Sequence, residues 1–557
     1  FRKRDTRSKD HIPAMYTMNP KTEEVRNYNS AAPRVKDWNA WETGSFFTQT
    51  LGWEGNFRDE HHIGVMVGQD YQEFYNDNFQ AYKEGFYDNY HTDLNSASGQ
   101  VNAQATGSSS REKLVSVFGR LSYDYKQRYL VSAVFRYDGS SRLAPDHRWA
   151  FFPSVSLAWR IDQENFMKDV KFIDQLKPRF SWGKMGNQAV SLYSYLSTVN
   201  TSGYDYSFEG MKYGGAAVSA LADNTITWEK TTSYDAGIDF SAFGNRVILS
   251  ADWFLKRTEG ILRTVNLPSQ VGDLSGPKSN VGVVDNKGVE LSLALRDTWG
   301  DFSAGVSGNF SYTRNEIVDL DGETEISGRL ICKEGYPINS WYLLQSDGVF
   351  QTQAEIDQAQ AVYGNRSNLR PGYVKYVNQN NDSTIDGNDR VIAGNTIPKF
   401  TYGFNINFGW KGIAIEAQFQ GVGDVSVYPS SNMAFGLYNG AGLTKQWVKD
   451  SWSATNRNTK YPLLTTYPEA GENFQNSTLW LQDASYLRLK NIQLSYTFPK
   501  KLVGRIGIKG LQVYVSGQNL VTFSDFKIWD PEISISQANL FSYPILKTVS
   551  FGINLTL

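Results

Sequence analysis

The sequence predicts an all-β protein in which long antiparallel strands form a transmembrane β-barrel. Three observations predict this fold: bulky and polar residues alternate along many segments, these segments are long, and short links between them alternate with very long ones. In the stretch TYGFNINFGWKG, Phe404 and Phe408 alternate with Asn405 and Asn407. Alternation with a period of two is the signature of a strand whose two faces meet different surroundings.

The length of the alternating segments separates a membrane barrel from a soluble β-sandwich, whose strands also alternate. Strands in globular proteins usually run about 5–6 residues, whereas a tilted strand that crosses a bilayer needs about 9–11. The predicted strands, fifteen in all, lie at 44–56, 61–76, 111–125, 129–140, 149–161, 176–186, 229–242, 246–261, 285–298, 302–318, 398–410, 413–424, 483–498, 510–522 and 544–557.

The links between the predicted strands are of two kinds. Some are very short, such as KQR at 126–128 and WGD at 299–301, whereas others run for tens of residues. Short turns at one end and long loops at the other are typical of outer-membrane barrels, whose long loops are extracellular. We predict long extracellular loops at 77–110, 187–228, 319–397, 425–482 and 523–543.

The beginning of the chain does not continue the strand pattern. We expect residues 1–43 to form an irregular extracellular loop segment or the end of an upstream strand, before a barrel portion at 44–557. The opening FRKRDTRSKD lacks the apolar core of a signal peptide, so we expect the chain to begin inside a larger polypeptide. Fifteen is an odd number, whereas bacterial single-chain barrels have an even number of strands. Either strands before residue 44 escape the pattern, or others lie upstream of residue 1.

Composition excludes several classes of function. The 55 lysines and arginines nearly balance the 57 aspartates and glutamates, so the chain has no strong positive field that would favour binding to nucleic acid. The single cysteine, Cys332, excludes an internal disulfide framework. No apolar run reaches the roughly 18 residues of a membrane-spanning helix. None of the five histidines lies in an HExxH motif and there is no GxSxG elbow or P-loop, so we do not expect an enzyme.

One loop segment, NQNNDSTIDGND at 378–389, fits a twelve-residue calcium loop. Oxygen ligands at alternate positions wrap a hard cation, for which Ca²⁺ is favoured over Mg²⁺, and Ile385 at position 8 anchors the loop. The segment has Asn at position 1 and Ser at position 6, where Asp and Gly are usual, so a polar hairpin without metal is the alternative. The predicted ligands are Asn378, Asn380, Asp382, Thr384 through its backbone carbonyl, and Asp389.

Two sets of aromatic residues lie in predicted loops. Tyr82, Phe86, Tyr87 and Tyr90 are candidates to bind substrate, because aromatic faces stack on sugar rings or peptide side chains. The alternative is a loop that packs on its own aromatics or against a partner. The second set, Trp447, Trp452 and Trp480, is predicted to form either an interfacial belt or partner contacts.

Many segments from about residue 111 to the end resemble the SusC/RagA family, which are TonB-dependent outer-membrane transporters of Bacteroidetes. The resemblance lies in separate blocks that occur in the right order. They are GRLSYDYKQRYLVSAVFRYDGSSRL, FFPSVSLAWRI, LKPRFSWGKMGNQ, ITWEKTTSYDAGIDF, NVGVVDNKGVELSLAL, DASYLRLKNIQLSYTFPKKL, VYVSGQNLVTFSDFKIWDPEI and YPILKTVSFGINLTL.

The resemblance implies a 22-stranded barrel of which this chain supplies the C-terminal part, with a plug domain inside and a SusD-like lipoprotein as a lid. It implies TonB-dependent import of a nutrient such as an oligosaccharide or a peptide, with glycan fragments favoured over peptides, driven by the TonB–ExbB–ExbD complex. The plug and the region that contacts TonB would lie upstream of Phe1. The barrel would sit in membrane lipid with its loops at the cell surface. A passive porin or a surface adhesin is the alternative.

Several strand positions carry more local predictions. Gly288 suits a bend or a close backbone approach, and a change of phase in the last third of the chain predicts a β-bulge near Asn491. The closing strand resembles the signal that barrel-assembly machinery recognises, carried by Phe551, Ile553, Leu555 and Leu557. Charged residues on the polar face are candidates to hold the plug by ion pairs; they are Arg120, Arg136, Asp138, Glu290 and Arg296.

Overall fold

One large antiparallel sheet dominates the computed structural model, which describes residues 1–557 except 14, 28–32, 98–101, 202–204, 272–273, 364–367, 431–433, 441, 467–470 and 533–542. Its sixteen strands pair in sequence order, each with the next along the chain. The strands are β1 (Arg2–Ile12), β2 (Arg34–Phe57), β3 (His61–Glu84), β4 (Gln104–Tyr125), β5 (Tyr129–Ser140), β6 (Trp149–Trp159), β7 (Ile173–Asn187), β8 (Glu229–Ala242), β9 (Val247–Glu259), β10 (Val283–Trp299), β11 (Phe302–Asp319), β12 (Phe400–Trp410), β13 (Ile413–Gly423), β14 (Tyr486–Thr497), β15 (Gly510–Ser524) and β16 (Thr548–Thr556).

The outer face of the sheet carries two aromatic belts. At the short-turn end Tyr129 stacks on Tyr125 and on Trp159, with ring centroids 6.4 and 6.2 Å apart. Toward the other end Tyr137 stacks on Trp149 at 5.0 Å. Ten residue steps lead from Trp149 to Trp159, and at a rise of about 3.3 Å per step and a strand tilt of about 40° they separate the belts by about 25 Å. This is the height of the apolar band of a transmembrane β-barrel.

The links at the two ends of the sheet differ as predicted. At the short-turn end the strands join through 58–60, 126–128, 243–246, 300–301 and 411–412, and through two longer links, 160–172 and 498–509. Lys411 and Gly412 both have positive φ, 45° and 91°, as a two-residue type I′ hairpin requires. The long connections 188–228, 320–399, 424–485 and 525–547 lie at the opposite end, and each boundary falls within four residues of its prediction. The predicted all-β barrel fold is confirmed.

The first strands differ from the prediction. Residues 2–12 form β1, so the sheet has sixteen strands rather than fifteen, and β2 begins at Arg34, before the expected boundary at residue 44. Likewise β3 and β4 take up most of the predicted loop 77–110 and leave only 85–103 between them. These extensions lie above the upper belt, where neither face meets lipid; Val35 there is buried against Phe86 and Ala97. Their sequences therefore lack the bulky–polar alternation on which the prediction rested.

Two of the long connections fold together into one extracellular lobe, which consists of residues 320–399 and 424–485. Its backbone hydrogen bonds cross from one connection to the other, as from Leu463 N–H to the Gly372 carbonyl at 2.7 Å. One core cluster draws on both connections and on Phe526 of the 525–547 connection. Its buried members are Trp341, Leu343, Val427, Tyr428, Ala434, Phe435, Trp447, Tyr461, Trp480, Ala484 and Phe526.

Helices and short strands occur only in the links, for the part of the chain that the structure describes. The helices are α1 (Gln353–Tyr363), α2 (Lys445–Asp450) and α3 (Lys500–Val503), and none of those described is long and apolar enough to cross a membrane. The short strands are Tyr16–Met18, Val25–Asn27, Thr198–Asn200, Asp205–Phe208, Met211–Gly214, Ala217–Ala220, Leu262–Thr264, Lys278–Asn280, Glu325–Ser327, Leu330–Cys332, Ser340–Leu344, Ser346–Val349, Val374–Tyr376, Arg390–Ile392, Ser426–Val427 and Gln482–Asp483.

The tryptophans of the lobe correct one expectation. Trp447, Trp452 and Trp480 are 3%, 8% and 3% exposed, so they form neither a membrane belt nor a partner surface. Trp447 lies flat against Tyr461, with centroids 4.5 Å apart, and Trp480 stacks beside both rings. The connections are long enough to bury a hydrophobic core of their own, and the tryptophans fill it.

Candidate functional site

The inner face of the sheet, opposite the aromatic belts, carries a network of charges around Arg179 on β7. Its guanidinium donates to Asp252 at 2.7 Å, Asp235 at 3.2 Å and Asp239 at 3.3 Å. Lys177 also binds Asp239, with Nζ 2.8 Å from Oδ2. We call these five residues the Arg179 network; its three carboxylates and two cations leave a net charge of −1. Charges on the polar face of a barrel need such partners or water.

The five charged residues predicted on the inner face are not one cluster. Arg136 binds Asp138 through Nε at 2.8 Å, and its Nη2 donates to Ser116 at 2.7 Å. Glu290 lies away from Arg136, next to Ser311, and is the cross-strand partner of Asp252 in the Arg179 network. Arg296 donates to the Asn245 carbonyl at the short-turn end, and Arg120 on β4 lies on the same polar face. The prediction missed the Arg179 network, whose members lie up to 75 residues apart on three strands.

A second ionic cluster closes the upper end of the inner face. Arg488 of β14 is 3% exposed; its guanidinium donates to Asp530 at 2.7 Å and lies 3.2 Å from Glu532. Lys490 also binds Glu532, at 2.7 Å. Asp530 and Glu532 belong to the segment DPE of the 525–547 connection. These ion pairs hold this segment of the last connection against the strand wall.

The four predicted aromatic residues near 77–110 do not form one surface. Tyr82 lies on β3, where its hydroxyl donates to Glu84, and Phe86 is buried with Val35 and Ala97. Tyr87 and Tyr90 are 85% and 89% exposed, so their ring faces are free in the short loop 85–103. The structure therefore leaves two of the four candidates able to stack on a ligand.

A tight turn displays these two tyrosines. The Asp88 carboxylate accepts backbone N–H groups from His91 at 2.8 Å and Tyr90 at 2.9 Å, and it pairs with the His91 ring at 2.7 Å. The backbone donors of His91 and Tyr90 lower the pKa of Asp88 to about 2. The carboxylate is therefore ionised at neutral pH and holds the turn between Tyr87 and Tyr90.

The predicted metal loop is ordered by its own hydrogen bonds. Asp389 is fully buried and accepts N–H groups from Gln379 at 2.7 Å and Asp386 at 2.8 Å. Asp382 accepts the Thr384 N–H at 2.7 Å, and this bond, with a second from the Asn380 side chain, lowers the pKa of Asp382. Ile385 is buried in the lobe core, where the prediction put the loop anchor.

The donor set fits a cation in part. Asn378 Oδ1 is buried without a hydrogen-bond partner, as a free ligand atom would be. The two Asp389 oxygens, however, are occupied by backbone donors, and the Thr384 N–H and hydroxyl both bind Asp382. Within the described residues no three His, Cys, Asp or Glu side chains are grouped to hold a metal ion. A cation would therefore rely on amide and backbone oxygens as well as on Asp382.

The predicted assembly signal lies on the last strand. Phe551, Ile553 and Leu555 of β16 project from the bulky face, and Leu557 follows the strand; they are 83%, 70%, 52% and 77% exposed. In the described part of the chain β16 pairs with β15 alone.

The comparisons with known proteins agree with this geometry. Residues 7–520 match the family model described as TonB dependent receptor-like, beta-barrel. The chain is 32% identical over 521 residues to TonB-dependent receptor P3 of Formosa agariphila, covering 89% of this chain and 50% of that one. It is 28% identical over 515 residues to TonB-dependent receptor SusC of Bacteroides thetaiotaomicron, covering 88% and 48%. The chain thus spans about half the length of the curated relatives it matches.

A solved structure shares the fold. The RagAB peptide transporter superposes with a TM-score of 0.80 at 24% identity, over 99% of this chain and 58% of that chain. At this sequence identity the similarity shows a shared fold, and it says nothing of a shared ligand.

Proposed function

Because the chain belongs to the TonB-dependent receptor-like β-barrel family, we propose that it is the barrel wall of an active nutrient importer. Members of this family lie in the outer membrane of Bacteroidetes and are receptors and transporters rather than enzymes. The observation that carries the proposal is the two-faced sheet, whose aromatic belts lie about 25 Å apart. The long connections accordingly face the cell surface.

The importer works with three partners that lie outside this chain. A plug domain fills the barrel, the TonB–ExbB–ExbD complex supplies energy through an N-terminal region, and a SusD-like lipoprotein covers the extracellular end. The similarity to SusC supports this set of partners. Since sixteen strands are present here, a barrel of about 22 strands takes six more from elsewhere in the protein. The open edges of β16 and of β2 beyond its pairing with β1 are where such strands pair, because unpaired backbone is not stable in lipid.

We propose that the cargo is a glycan fragment rather than a peptide. The exposed ring faces of Tyr87 and Tyr90 are available to stack on its sugar rings. Replacing both by alanine should weaken uptake, with Phe86→Leu as a control for loop packing. Uptake unchanged in the double variant would remove these residues from the substrate path.

The test of the proposed function is uptake in the native host. A strain that lacks the gene should fail to grow on its nutrient, and deletion of tonB should have the same effect. Growth that needs the gene but not TonB would favour a passive porin. Surface attachment lost with the gene, while growth on every nutrient is unchanged, would favour an adhesin.

We also propose that the loop 378–389 binds Ca²⁺. The ligands would be Asn378 Oδ1, Asn380 Oδ1, a carboxylate oxygen of Asp382 and the Thr384 carbonyl. Asp389 would join them through the lone pairs that its two backbone donors leave free, and Ile385 would anchor the loop in the lobe core. Calcium should raise the unfolding temperature of the wild-type protein, and Asp382→Ala should abolish that increase. If calcium changes the unfolding temperature of neither protein, the polar-hairpin alternative is correct.

A further inference from the structure

Two neighbouring sectors of the inner face, which together span β7–β16, differ in their chemistry. The charged sector, β7–β10, carries the Arg179 network and Glu290. The amide sector, β11–β16, carries neutral amides and hydroxyls, and among its described residues between the two belts Glu416 is the one charged side chain. Arg488 and Lys490 lie above it and are paired with Asp530 and Glu532.

The register of the six strands aligns the neutral side chains in rows. Each residue of a row is the direct partner of the next across two neighbouring strands, so all members lie on one face along a line perpendicular to the strands, which runs obliquely around the barrel because the strands tilt. The upper row is Ser307, Asn405, Gln418, Asn491, Gln518 and Thr548. The row below is Gly305, Asn407, Glu416, Gln493, Ser516 and Ser550. We call these the amide rows.

The amide rows form a broad, open strip. Six strands spaced about 4.8 Å apart cover about 24 Å of wall. The longest side chains of the upper row, Asn405, Gln418 and Gln518, are exposed rather than packed against neighbours. The predicted bulge, seen as a register shift between Leu489 and Asn491, returns Asn491 to this face. Each amide offers both a donor and an acceptor to whatever passes.

The two sectors interact differently with a moving partner. Charge-assisted hydrogen bonds such as those of Arg179 are strong and directional. A segment of the plug domain that is held by such bonds therefore separates slowly from the wall. Neutral hydrogen bonds exchange with water at small net cost, so a solute can break and remake them as it moves. The amide rows also lack the arginines and lysines that bind carboxylate or sulfate groups, and Glu416 repels anions.

We propose that the amide rows are the wall along which the cargo crosses the barrel, and that this cargo is an uncharged oligosaccharide. The inference rests on the proposed import function and narrows its substrate class. Sugar hydroxyls match the paired donors and acceptors of asparagine and glutamine. The charged sector is then the part of the wall to which the plug domain stays bound while the cargo passes.

The substrate class is tested by growth of the gene-deletion strain on purified polysaccharides, half of them uncharged and half sulfated or uronate-rich. We expect loss of growth on an uncharged polysaccharide and unchanged growth on every anionic one. Loss on an anionic polysaccharide would overturn the inference and leave import standing. Loss on none would instead contradict the proposed function.

The position of the path is tested by cysteine accessibility in the full-length protein. In a Cys332→Ser background, Gln418→Cys reports on the amide rows, and Ser292→Cys, exposed on the same face of β10, is the matched control. The probe is an uncharged methanethiosulfonate reagent, applied to cells growing on the polysaccharide that requires the gene. Without TonB action, the conformation in which the path along the amide rows is open is about 0.1–10% populated. A working TonB should therefore speed labelling of Gln418→Cys about tenfold. Equal TonB dependence at both positions, or dependence only at Ser292→Cys, would overturn the assignment.

Discussion

Replacing Arg488 by methionine should release the segment that carries Asp530 and Glu532. The Arg488 side chain is 4% exposed and that of Asp530 11%, so the substitution leaves Asp530 as a buried carboxylate without its cation. Glu532 keeps Lys490 at 2.7 Å. Removing one partner of a buried ion pair costs about 3–5 kcal/mol. We take about 3 kcal/mol, because Asp530 borders the water-filled interior, and expect the opening equilibrium to rise about 100-fold.

Limited trypsin digestion of the folded protein in detergent measures this opening. Lys527 lies between buried Phe526 and the paired Asp530, so cleavage after it requires the segment to leave the wall. When reclosing is fast, the cleavage rate follows the population of the open form, and Arg488→Met should be cut about 100-fold faster.

Lys490→Met is the matched control, because Arg488 still faces both carboxylates in that variant. The lysine is partly exposed, so its loss should cost at most about 1 kcal/mol and raise cleavage no more than about fivefold. If Arg488→Met were cleaved at the rate of this control, the cluster would not fix the last loop and the reasoning would be wrong.

Three further substitutions test the strand wall and the lobe. Gly288→Ala places a Cβ 2.0 Å from the Tyr312 carbonyl oxygen, so it should lower the heat resistance of the folded band on gels, whereas Gly214→Ala, with open space around it, should not. Trp447→Ala should cost the lobe about 3–5 kcal/mol, read as a lower unfolding temperature of the lobe by tryptophan fluorescence; an unchanged value would contradict the buried stack. Burial raises the pKa of Tyr428 to about 12, so the lobe favours the neutral phenol and its stability should fall by about 2 kcal/mol as pH rises from about 10 to 12. Tyr428→Phe should remove that part of the pH dependence.

The sequence predicts the membrane-crossing part of the fold well, because lipid imposes a pattern that can be read residue by residue. Gly288 illustrates this: its place at the start of an alternating strand predicts a close backbone approach, and the Tyr312 carbonyl is there. The bulge near Asn491 follows from the change of phase in the same way. Where lipid ends the pattern ends, so β1 and the first ten residues of β2 carry no readable alternation.

The candidate sites were less predictable because their parts come together only through the fold. Arg488 and Asp530 lie 42 residues apart in sequence, and nothing around either residue indicates a buried pair. The three lobe tryptophans carry no periodic signal, since their partners come from irregular chain. The calcium loop was visible because its ligands follow a local spacing. Its hydrogen bonds, which use the Asp389 oxygens internally, could not be read from that spacing.

The shared core of the extracellular lobe limits how this surface can diversify. Connections 320–399 and 424–485 bury each other's aromatic rings, so neither is an independent module. Recombination or engineering that exchanged one of them alone would leave the other's tryptophans in water. New surface specificities at this site should therefore require the two connections to change together, whereas the short loop 85–103 can vary by itself.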